Sequence, residues 1–411
     1  MPNFCIDNIA EKCINLYDNL PKSGKPVKNE WTVLSCVLQY DKVTSSYDVV
    51  SLGTGSKCIG ASKMSSAGNI LNDSHAEVIA RRGFLIYLYD NIMNTLENKQ
   101  SIFHKEKEKF RLRDNIEFIF YSSQTPCGDA SIMPKDEEED NVGYTILSHK
   151  RGAQDDDCHI ENKRQKLDIH RTGAKCLPNT EQDLQLPGEH YHLLGQVRTK
   201  PGRGDRTLSV SCSDKMARWI QVGIQGALLD MLLCKPIFIK YFIFGAGVPY
   251  CDMSLNRALL KRNSDYVIDQ KLACLPEFYR CSKIFPHIKS GDEMKPTPGS
   301  IVWIKTRQKL VEVAIQGKKQ GVTKKDVNYP ISYLCITKYN IYKKFQEVLL
   351  KQKYLYRSVC GEELLCNIEY NKMKKKADRY QKNWCETKDN FFKIWTVKPD
   401  IWNFCIDNKS S

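Results

Sequence analysis

Long hydrophobic runs are absent from this sequence of 411 residues. The most apolar stretch, residues 227–248, is interrupted by Asp230, Lys235, Pro236 and Lys240, so it never reaches the roughly 18 clean apolar residues of a membrane span. The opening residues, MPNFCIDNIAEKC, contain no basic segment followed by an apolar one, as a secretory signal would. We therefore expect a soluble intracellular protein of the cytoplasm or nucleus, with no membrane partner.

Tandem repeats are absent as well, and the number of cysteines is odd. The 17 cysteines are spread over the whole chain. Without a secretory signal we expect them to be buried thiols, with a few metal ligands among them, rather than a disulfide framework. Disorder throughout the chain is excluded, because hydrophobic residues make up 41% and aromatic residues 10%, which suffices for a packed core.

Positive charge is plentiful and unevenly placed. The formal net charge is +14, and residues 301–411 hold 23 Lys and Arg against 11 Asp and Glu, a net of +12 in that segment. Such a surplus indicates a polyanionic partner, such as nucleic acid, membrane lipid or a phosphorylated small molecule, and does not choose among them. Residues 135–168 are instead rich in acidic residues and poor in apolar ones, which is typical of a disordered surface insertion.

Strand and helix patterns alternate along the chain, which predicts an α/β core built in layers. Apolar runs predict buried strands at 31–38, 116–121, 237–244 and 301–304. Apolar residues at helical spacing predict helices at 75–96 and 215–233, and helical patterns dominate residues 331–384.

Two short motifs contain residue types that bind metals. In Asn72-Asp-Ser-His-Ala-Glu77, one of the first three residues is predicted to cap the following helix, so that His75 and Glu77 lie in its first turn. Cys127 follows a predicted strand and Pro126, and we expect it to open a helix, whose N-terminus favours the thiolate that a metal needs. His-x-Glu followed by Pro-Cys is the beginning of the zinc nucleobase-deaminase signature.

A third metal ligand is not fixed by spacing alone. The signature has a further cysteine at the position that Ala130 occupies here, and catalytic zinc usually has three protein ligands and a water. Cys212, which lies between a strand-like run and a helix start, is the best candidate, and Cys158 and Cys176 are weaker ones. Taken singly, a histidine at a helix start is more often a cap, and a lone buried cysteine is usually a small hydrophobe.

Longer segments around these residues resemble the adenosine deaminases acting on RNA. They are LNDSHAEVIARR at 71–82, PCGDA at 126–130 and SCSDKMARW at 211–219. The tRNA-specific branch in particular is similar at GTGSKCIG (53–60), RTGAKC (171–176) and KPGRGDR (200–206). The resemblance implies a three-layer deaminase-like core, with a mixed sheet flanked by helices and a mainly helical C-terminal extension. It implies an N-terminal segment at 1–30 and a single deaminase domain at 31–411, with the insertion at 135–168.

The resemblance also implies the residues of a catalytic centre. The implied ligands of one zinc ion are His75, Cys127 and Cys212. Glu77 matches the residue that transfers protons, and Asp73 and Lys200 match a polar layer that links the metal site to the interior.

A second cofactor that the resemblance implies is a buried, structural inositol hexakisphosphate. The positions that match its contacts are Asn72, Arg81, Arg82, Ser209, Lys215, Arg218, Lys324, Tyr370, Lys374, Tyr380, Trp395 and Lys398. Three positions depart from the family pattern: Ala227 replaces a serine, Asn403 replaces an acidic residue, and Trp384 stands where a lysine is expected. Composition alone favours a solvated basic face or an RNA-contacting patch instead.

The substrate that the tRNA-specific branch implies is the adenosine at position 37 of tRNA-Ala, directly 3′ of the anticodon. Only about 30 residues precede the similar region, too few for a separate double-stranded-RNA-binding domain, which favours that branch. The alternatives are an editing deaminase acting on mRNA or duplex RNA, and a catalytically inactive RNA-binding scaffold. We expect a monomer that binds the anticodon arm of tRNA.

Overall fold

The computed structural model describes residues 4–135, 168–202, 205–262, 275–306, 310–323, 325–326, 329–397 and 399–406. Apart from its two end residues, the predicted insertion at 135–168 lies outside the described residues, as do Cys158, Lys324 and Lys398. The two ends of the insertion meet, because Lys135 and Asp168 form an ion pair of 2.7 Å and the strands Met133–Pro134 and Ile169–His170 pair antiparallel.

A mixed sheet of eight strands forms the centre of the molecule. In chain order the strands are β1 (Leu34–Asp41), β2 (Ser46–Thr54), β3 (Ile116–Ser122), β4 (Tyr241–Ala246), β5 (Glu277–Ile284), β6 (Gly299–Ile304), β7 (Leu310–Ile315) and β8 (Lys318–Lys319). Across the sheet the order is β5-β4-β3-β1-β2-β6-β7-β8. β4 runs parallel to both of its neighbours, and the remaining pairs are antiparallel.

Nine helices of the described residues flank this sheet. They are α1 (Ile6–Asp18), α2 (Ala76–Leu96), α3 (Cys212–Val222), α4 (Gly226–Leu232), α5 (Asp252–Leu259), α6 (Lys338–Leu350), α7 (Lys353–Cys360), α8 (Tyr370–Lys375) and α9 (Asp378–Thr387). None of them is long and apolar enough to cross a membrane. Short strand pairs add local support: Glu30–Trp31 with Lys295–Pro296, Ser56–Cys58 with Asp73–His75, Phe103–Glu106 with Lys109–Leu112, and Lys175–Cys176 with Arg198–Thr199.

Helices cover both faces of the sheet, so the molecule has three layers. α1 is amphipathic and buries Ile9, Ala10, Cys13 and Tyr17 against one face, where apolar burial stabilises it. On the other face, α2 is buried along most of its length and packs with the C-terminal helices in a larger core. The predicted α/β fold, with a mixed sheet and a mainly helical C-terminal region, is confirmed.

Two details of the predicted elements are wrong. The helix predicted over 215–233 is two helices, because the chain turns at Gly223 and Gly226, whose φ angles are +88° and +74°, a region that favours glycine. Cys127 does not open a helix either. Gly128 follows it with φ +105°, and only a single 3₁₀ turn, Asp129–Ser131, forms.

The first turns of α2 lie so close to β2 that the contact admits no side chain at Gly53. A Cβ there would lie 2.5 Å from both the Ala76 carbonyl oxygen and the Ala80 nitrogen. We expect Gly53→Ala to push the start of α2 off the sheet and to lower the free energy of unfolding by about 1–3 kcal/mol, measured by urea denaturation. Gly291→Ala is the control, because nothing lies within 4 Å of its Cβ. An unchanged urea midpoint for Gly53→Ala would contradict this close packing.

Candidate active site

The start of α2 presents His75 and Glu77 to the interior. His75 is at the N-cap position, but no side chain caps this helix, so the predicted cap by a residue of 72–74 is wrong. Asp73 contacts His75 instead of capping the helix. One oxygen of the Asp73 carboxylate lies 3.0 Å from the His75 backbone nitrogen and 2.9 Å from the Nδ1 atom of the His75 ring. The imidazole is thereby fixed in orientation, as carboxylates commonly fix metal-binding histidines.

Two cysteines from distant parts of the chain meet beside this histidine. Cys127 lies in the loop after β3, and Cys212 is the first residue of α3. The Cys212 backbone N–H donates to Cys127 Sγ at 3.3 Å, and Ser213 donates to the Cys127 carbonyl oxygen from both its N–H and its hydroxyl. The helix N-terminus that faces the Cys127 thiol is therefore that of α3.

The Cys127 thiol interacts electrostatically with Cys212 and with His75. A hydrogen bond with Cys212 holds the pKa of Cys127 well below its usual value, and Lys200 and His75 lower it further. Burial raises the pKa of the Cys212 thiol, and so does its neighbour Cys127. Cys127 is therefore the more readily ionised of the two, and the thiolate is the form that binds metals.

Asp73 and Lys200 form a buried ion pair directly behind this group. Lys200 Nζ lies 2.9 Å from an Asp73 carboxylate oxygen and 3.0 Å from Cys212 Sγ. Lys215, one of the expected inositol-phosphate contacts, also pairs with Asp73. Burial alone would raise the pKa of Asp73, but the charges of Lys200 and Lys215 outweigh it and hold that pKa well below its ordinary range.

The Glu77 carboxylate is buried beside the thiols, with 3% of the residue exposed. Its Oε2 has no hydrogen-bond partner among the described residues, and burial raises its pKa. Buried polar atoms are nearly always hydrogen-bonded in folded proteins. A buried carboxyl group with an unmatched oxygen and a raised pKa is typical of a group that exchanges protons with a reactant.

Cys58 adds a second set of donor atoms that the motifs did not single out. Its thiol, one Asp73 oxygen and a His75 nitrogen all lie within 4.8 Å of one another. In the part of the chain that is described, no other three His, Cys, Asp or Glu side chains come this close together. Cys58 Sγ is 3.7 Å from His75 Nδ1. Asp73 already pairs with Lys200 and Lys215, however, and the positive charges of these lysines oppose the binding of a metal cation at that carboxylate. The weaker candidate Cys176 lies elsewhere, 3.5 Å from an Asp183 oxygen.

A cavity of about 450 Å³ opens beside His75 and is large enough for a small ligand such as a nucleoside. Residues of two motif segments line it: 56–60 from one, and Pro201, Gly202 and Asp205 from the other. Asp205 joins the rim to the segment at 61–63, because its carboxylate accepts hydrogen bonds from both the N–H and the hydroxyl of Ser62. Lys57 and Lys63 add positive charge along this opening.

Several of the expected inositol-phosphate residues lie near one another in a basic part of the interior, among them Arg81, Arg218 and Tyr380. Arg81 and Arg82 donate to the carbonyl oxygens of Ile224 and Ile336, and neither forms an ion pair with a carboxylate among the described residues. Burial lowers the pKa of Arg82, and it lowers that of Arg81 to about 10. Cations in such surroundings require a compensating anion.

Aromatic rings from the C-terminal region line the same interior. The Arg218 guanidinium lies 3.6 Å from the Trp384 ring centre and within 6 Å of the Tyr380 and Trp395 rings. Trp384, the departure from the family pattern, therefore stacks against an arginine. Lys374 and Tyr370 share one face of α8, with Nζ 5.3 Å from the ring centre.

Several polar atoms in this region lack partners within the described residues. Arg218 Nε, Asn72 Oδ1, the Tyr89 hydroxyl and Gln221 Nε2 are all buried without a hydrogen bond. Ser209 is buried and accepts a hydrogen bond from the Lys200 N–H through its carbonyl oxygen. Of these atoms, the donors Arg218 Nε and Gln221 Nε2 fit a polyanionic ligand, whose oxygens would accept from them.

A mixed sheet that presents a His-x-Glu helix start to a Pro-Cys loop and a further cysteine defines the class of nucleobase deaminases. The family described as the adenosine-deaminase (editase) domain matches residues 51–399. The chain belongs to this family. The resemblance to adenosine deaminases acting on RNA and the predicted enzyme class, an adenosine deaminase, are confirmed.

Two similar proteins match this chain over nearly its whole length, and a third matches a little over half of it. The tRNA-specific adenosine deaminase 1 of Drosophila melanogaster is 38% identical over 96% of this chain and 95% of its own length. The human protein of the same name is 32% identical over 96% of this chain and 98% of its own length. The mouse double-stranded RNA-specific adenosine deaminase is 31% identical, over 58% of this chain and 19% of its own length.

Proposed function

We propose that this enzyme hydrolyses adenosine to inosine in tRNA, at position 37 of tRNA-Ala, with one zinc ion at His75, Cys127 and Cys212. The observation that carries the proposal is the buried Glu77 carboxyl group beside these three side chains. The tRNA substrate is supported by the relatives that match nearly the full chain, whose names are tRNA-specific, whereas the duplex-RNA relative matches 58% of it.

The donor set fits zinc. An imidazole nitrogen and two thiols are the borderline-to-soft ligands that zinc prefers, and three protein ligands leave one position for water. Lys200 lies beside Cys212 and offsets part of the negative charge of two thiolates. When bound, zinc would lower the pKa of a water molecule so that hydroxide is available near neutral pH.

Glu77 performs the proton transfers in this proposal. Its carboxylate takes a proton from the attacking water and passes it to the purine ring nitrogen as the water oxygen bonds to C6. Glu77 then moves the proton of the new hydroxyl group to the amino group, so that the C6–N bond breaks and ammonia leaves. Burial raises the pKa of Glu77, which suits a group that must both accept and release protons. Asp73 fixes the orientation of His75 through Nδ1, so that its other nitrogen remains for the metal.

Removal of the Cys212 thiol should remove the metal. We expect Cys212→Ala to retain far less than one zinc per chain by elemental analysis, because two protein ligands are too few for a catalytic zinc site. Cys176→Ala is the control, since that thiol contacts Asp183 instead. If Cys58→Ala lost zinc while Cys212→Ala kept it, the group of Cys58, Asp73 and His75 would be the metal site instead.

We further propose that the basic interior holds inositol hexakisphosphate. Arg81, Arg82 and Arg218, with no carboxylate partner in the described residues, supply the positive charge, and Arg218 Nε and Gln221 Nε2 are buried donors without an acceptor there. A ligand with six phosphates satisfies both requirements, since phosphate oxygens accept several hydrogen bonds from arginine and lysine at once. Its role would be structural, by neutralising cations that otherwise repel one another.

The choice of substrate is tested by comparing kcat/KM for a tRNA-Ala transcript and a long RNA duplex. We expect the tRNA to be preferred by on the order of 100-fold or more, because an adenosine in a loop is extruded at lower cost than one in a helix. Preference for the duplex would favour the editing alternative. The absence of turnover on both, with zinc present, would favour an inactive scaffold.

A further inference from the structure

A buried ionic cluster lies close to the proposed metal ligands without touching them. Arg198 is 0% exposed and forms two hydrogen bonds of 2.6 Å with the Asp183 carboxylate. The same carboxylate accepts from the Leu193 backbone N–H and lies 2.9 Å from His192 Nδ1. Arg198 also donates to two backbone carbonyl oxygens, those of Ala174 and Leu193. The cluster therefore ties together several segments of residues 172–198.

One end of this cluster reaches the loop of Cys127. His192 Nε2 accepts a hydrogen bond from the Thr172 backbone N–H at 3.3 Å, so the imidazole proton resides on Nδ1 and is donated to Asp183. The Thr172 hydroxyl oxygen accepts from the Gly128 N–H at 3.3 Å and from the Ala174 N–H at 3.2 Å. Gly128 directly follows Cys127, so this chain of bonds fixes the backbone beside the first thiol.

The other end reaches the start of α3. The Arg198 N–H donates to Asp214 at 3.0 Å, and the Arg198 carbonyl oxygen accepts from the Ser211 N–H at 2.8 Å. Ser211 caps α3 by accepting from the Asp214 N–H, and its own hydroxyl donates to the Asp214 carboxylate. Cys212 follows Ser211, so the backbone beside the second thiol is fixed by the same arginine.

We propose that Asp183, His192 and Arg198, with Thr172, form a positioning cluster that sets the distance between the Cys127 and Cys212 thiols for metal binding. This inference rests on the proposed metal ligands. Two thiols on separate loops require a fixed separation, and groups behind metal ligands commonly change metal affinity by about 10–100-fold when they are removed. The cluster contacts the backbone beside both cysteines, at Gly128 through Thr172 and at Ser211 through Arg198.

The sharpest test compares Thr172→Val with Thr172→Ser. Valine keeps the shape but removes the oxygen that accepts from Gly128, whereas serine retains it. We expect Thr172→Val to bind zinc about 10–100-fold more weakly in a chelator competition, and to lower kcat with little change in KM for tRNA. In the absence of zinc, Cys127 and Cys212 should also be alkylated faster in Thr172→Val than in the wild type. Thr172→Ser should behave like the wild type in all three measurements.

A control variant on the opposite face of the sheet distinguishes a loss of stability from a loss of ligand positioning. Ile9→Ala leaves a cavity under α1 and should lower the unfolding midpoint without changing zinc affinity. Wild-type zinc affinity and alkylation rates in Thr172→Val would overturn the proposal. Wild-type protein that binds zinc but forms no inosine would overturn the proposed function instead, because zinc affinity is measured without tRNA.

Discussion

Glu77→Gln is expected to abolish nearly all inosine formation while the protein keeps its metal. Glutamine preserves the shape of the side chain but cannot take a proton from water, and general acid–base catalysis contributes on the order of 10²–10⁴-fold to such reactions. The rate should therefore fall by at least about 100-fold under single-turnover conditions. Zinc content by elemental analysis should stay near one per chain, because Glu77 is not a ligand in this account.

The control for this variant is Glu117→Gln. Glu117 is a partly buried carboxylate on β3 that pairs with Lys42 and Lys240, and no part of the proposed mechanism uses it. Glu117→Gln should retain activity within a few-fold. If Glu77→Gln formed inosine at a rate close to that of the wild type, the proton-transfer role would be wrong. If it lost zinc as well as activity, Glu77 would act as a ligand instead.

Protein made in a host without inositol polyphosphates is expected to be largely misfolded. A ligand present at 1,000 times its Kd stabilises the native state by about 4 kcal/mol, a large share of the roughly 5–15 kcal/mol that holds most domains together. Adding inositol hexakisphosphate during refolding should restore soluble protein and raise the unfolding midpoint. Inorganic phosphate at the same phosphate concentration should not.

A variant pair checks where that ligand acts. Arg218→Met removes an interior cation that lies against Trp384 and should weaken the shift in unfolding midpoint that inositol hexakisphosphate produces. Lys372→Met is the control, because Lys372 pairs with Glu363 at the surface. Active, zinc-containing protein from the polyphosphate-free host would contradict the structural role of the ligand.

Local sequence patterns predicted much of the fold and the centre of the candidate site. His75 and Glu77 could be found because both lie at the start of one helix, which the apolar period of the following residues marks, although no side chain caps it. The local pattern of a strand-like run and a helix start favours Cys212 over Cys158 and Cys176, but only the family resemblance implies it as the third ligand. The structure brings Cys212 to Cys127 through backbone hydrogen bonds across 85 residues of sequence.

Other features depend on contacts that no local pattern records. Cys58 approaches His75 because the strand Ser56–Cys58 pairs with Asp73–His75, and Asp183 pairs with Arg198, 15 residues further along the chain. The break between α3 and α4 was missed because apolar positions continue at helical spacing through Ile224 and Leu228, although Gly223 and Gly226 turn the backbone.

Most of the net positive charge of the sequence lies in residues 301–411, but most cations at the proposed polyphosphate site come from earlier in the chain. The described cations at the proposed polyphosphate site, apart from Lys374, precede residue 301: Arg81, Arg82, Lys215 and Arg218. Cations of the C-terminal segment, such as Lys351 and Lys372, instead pair with acidic residues near the surface. We therefore expect much of the +12 in residues 301–411 to act at the surface. There it should make tRNA binding weaken as salt rises.

Inosine mapping on a total tRNA pool treated with purified protein decides whether the enzyme acts at position 37. We expect inosine at position 37 of tRNA-Ala after treatment with the wild-type enzyme, and none above background after treatment with Glu77→Gln. Inosine at other sites only, or none from zinc-loaded wild-type protein, would contradict this expectation.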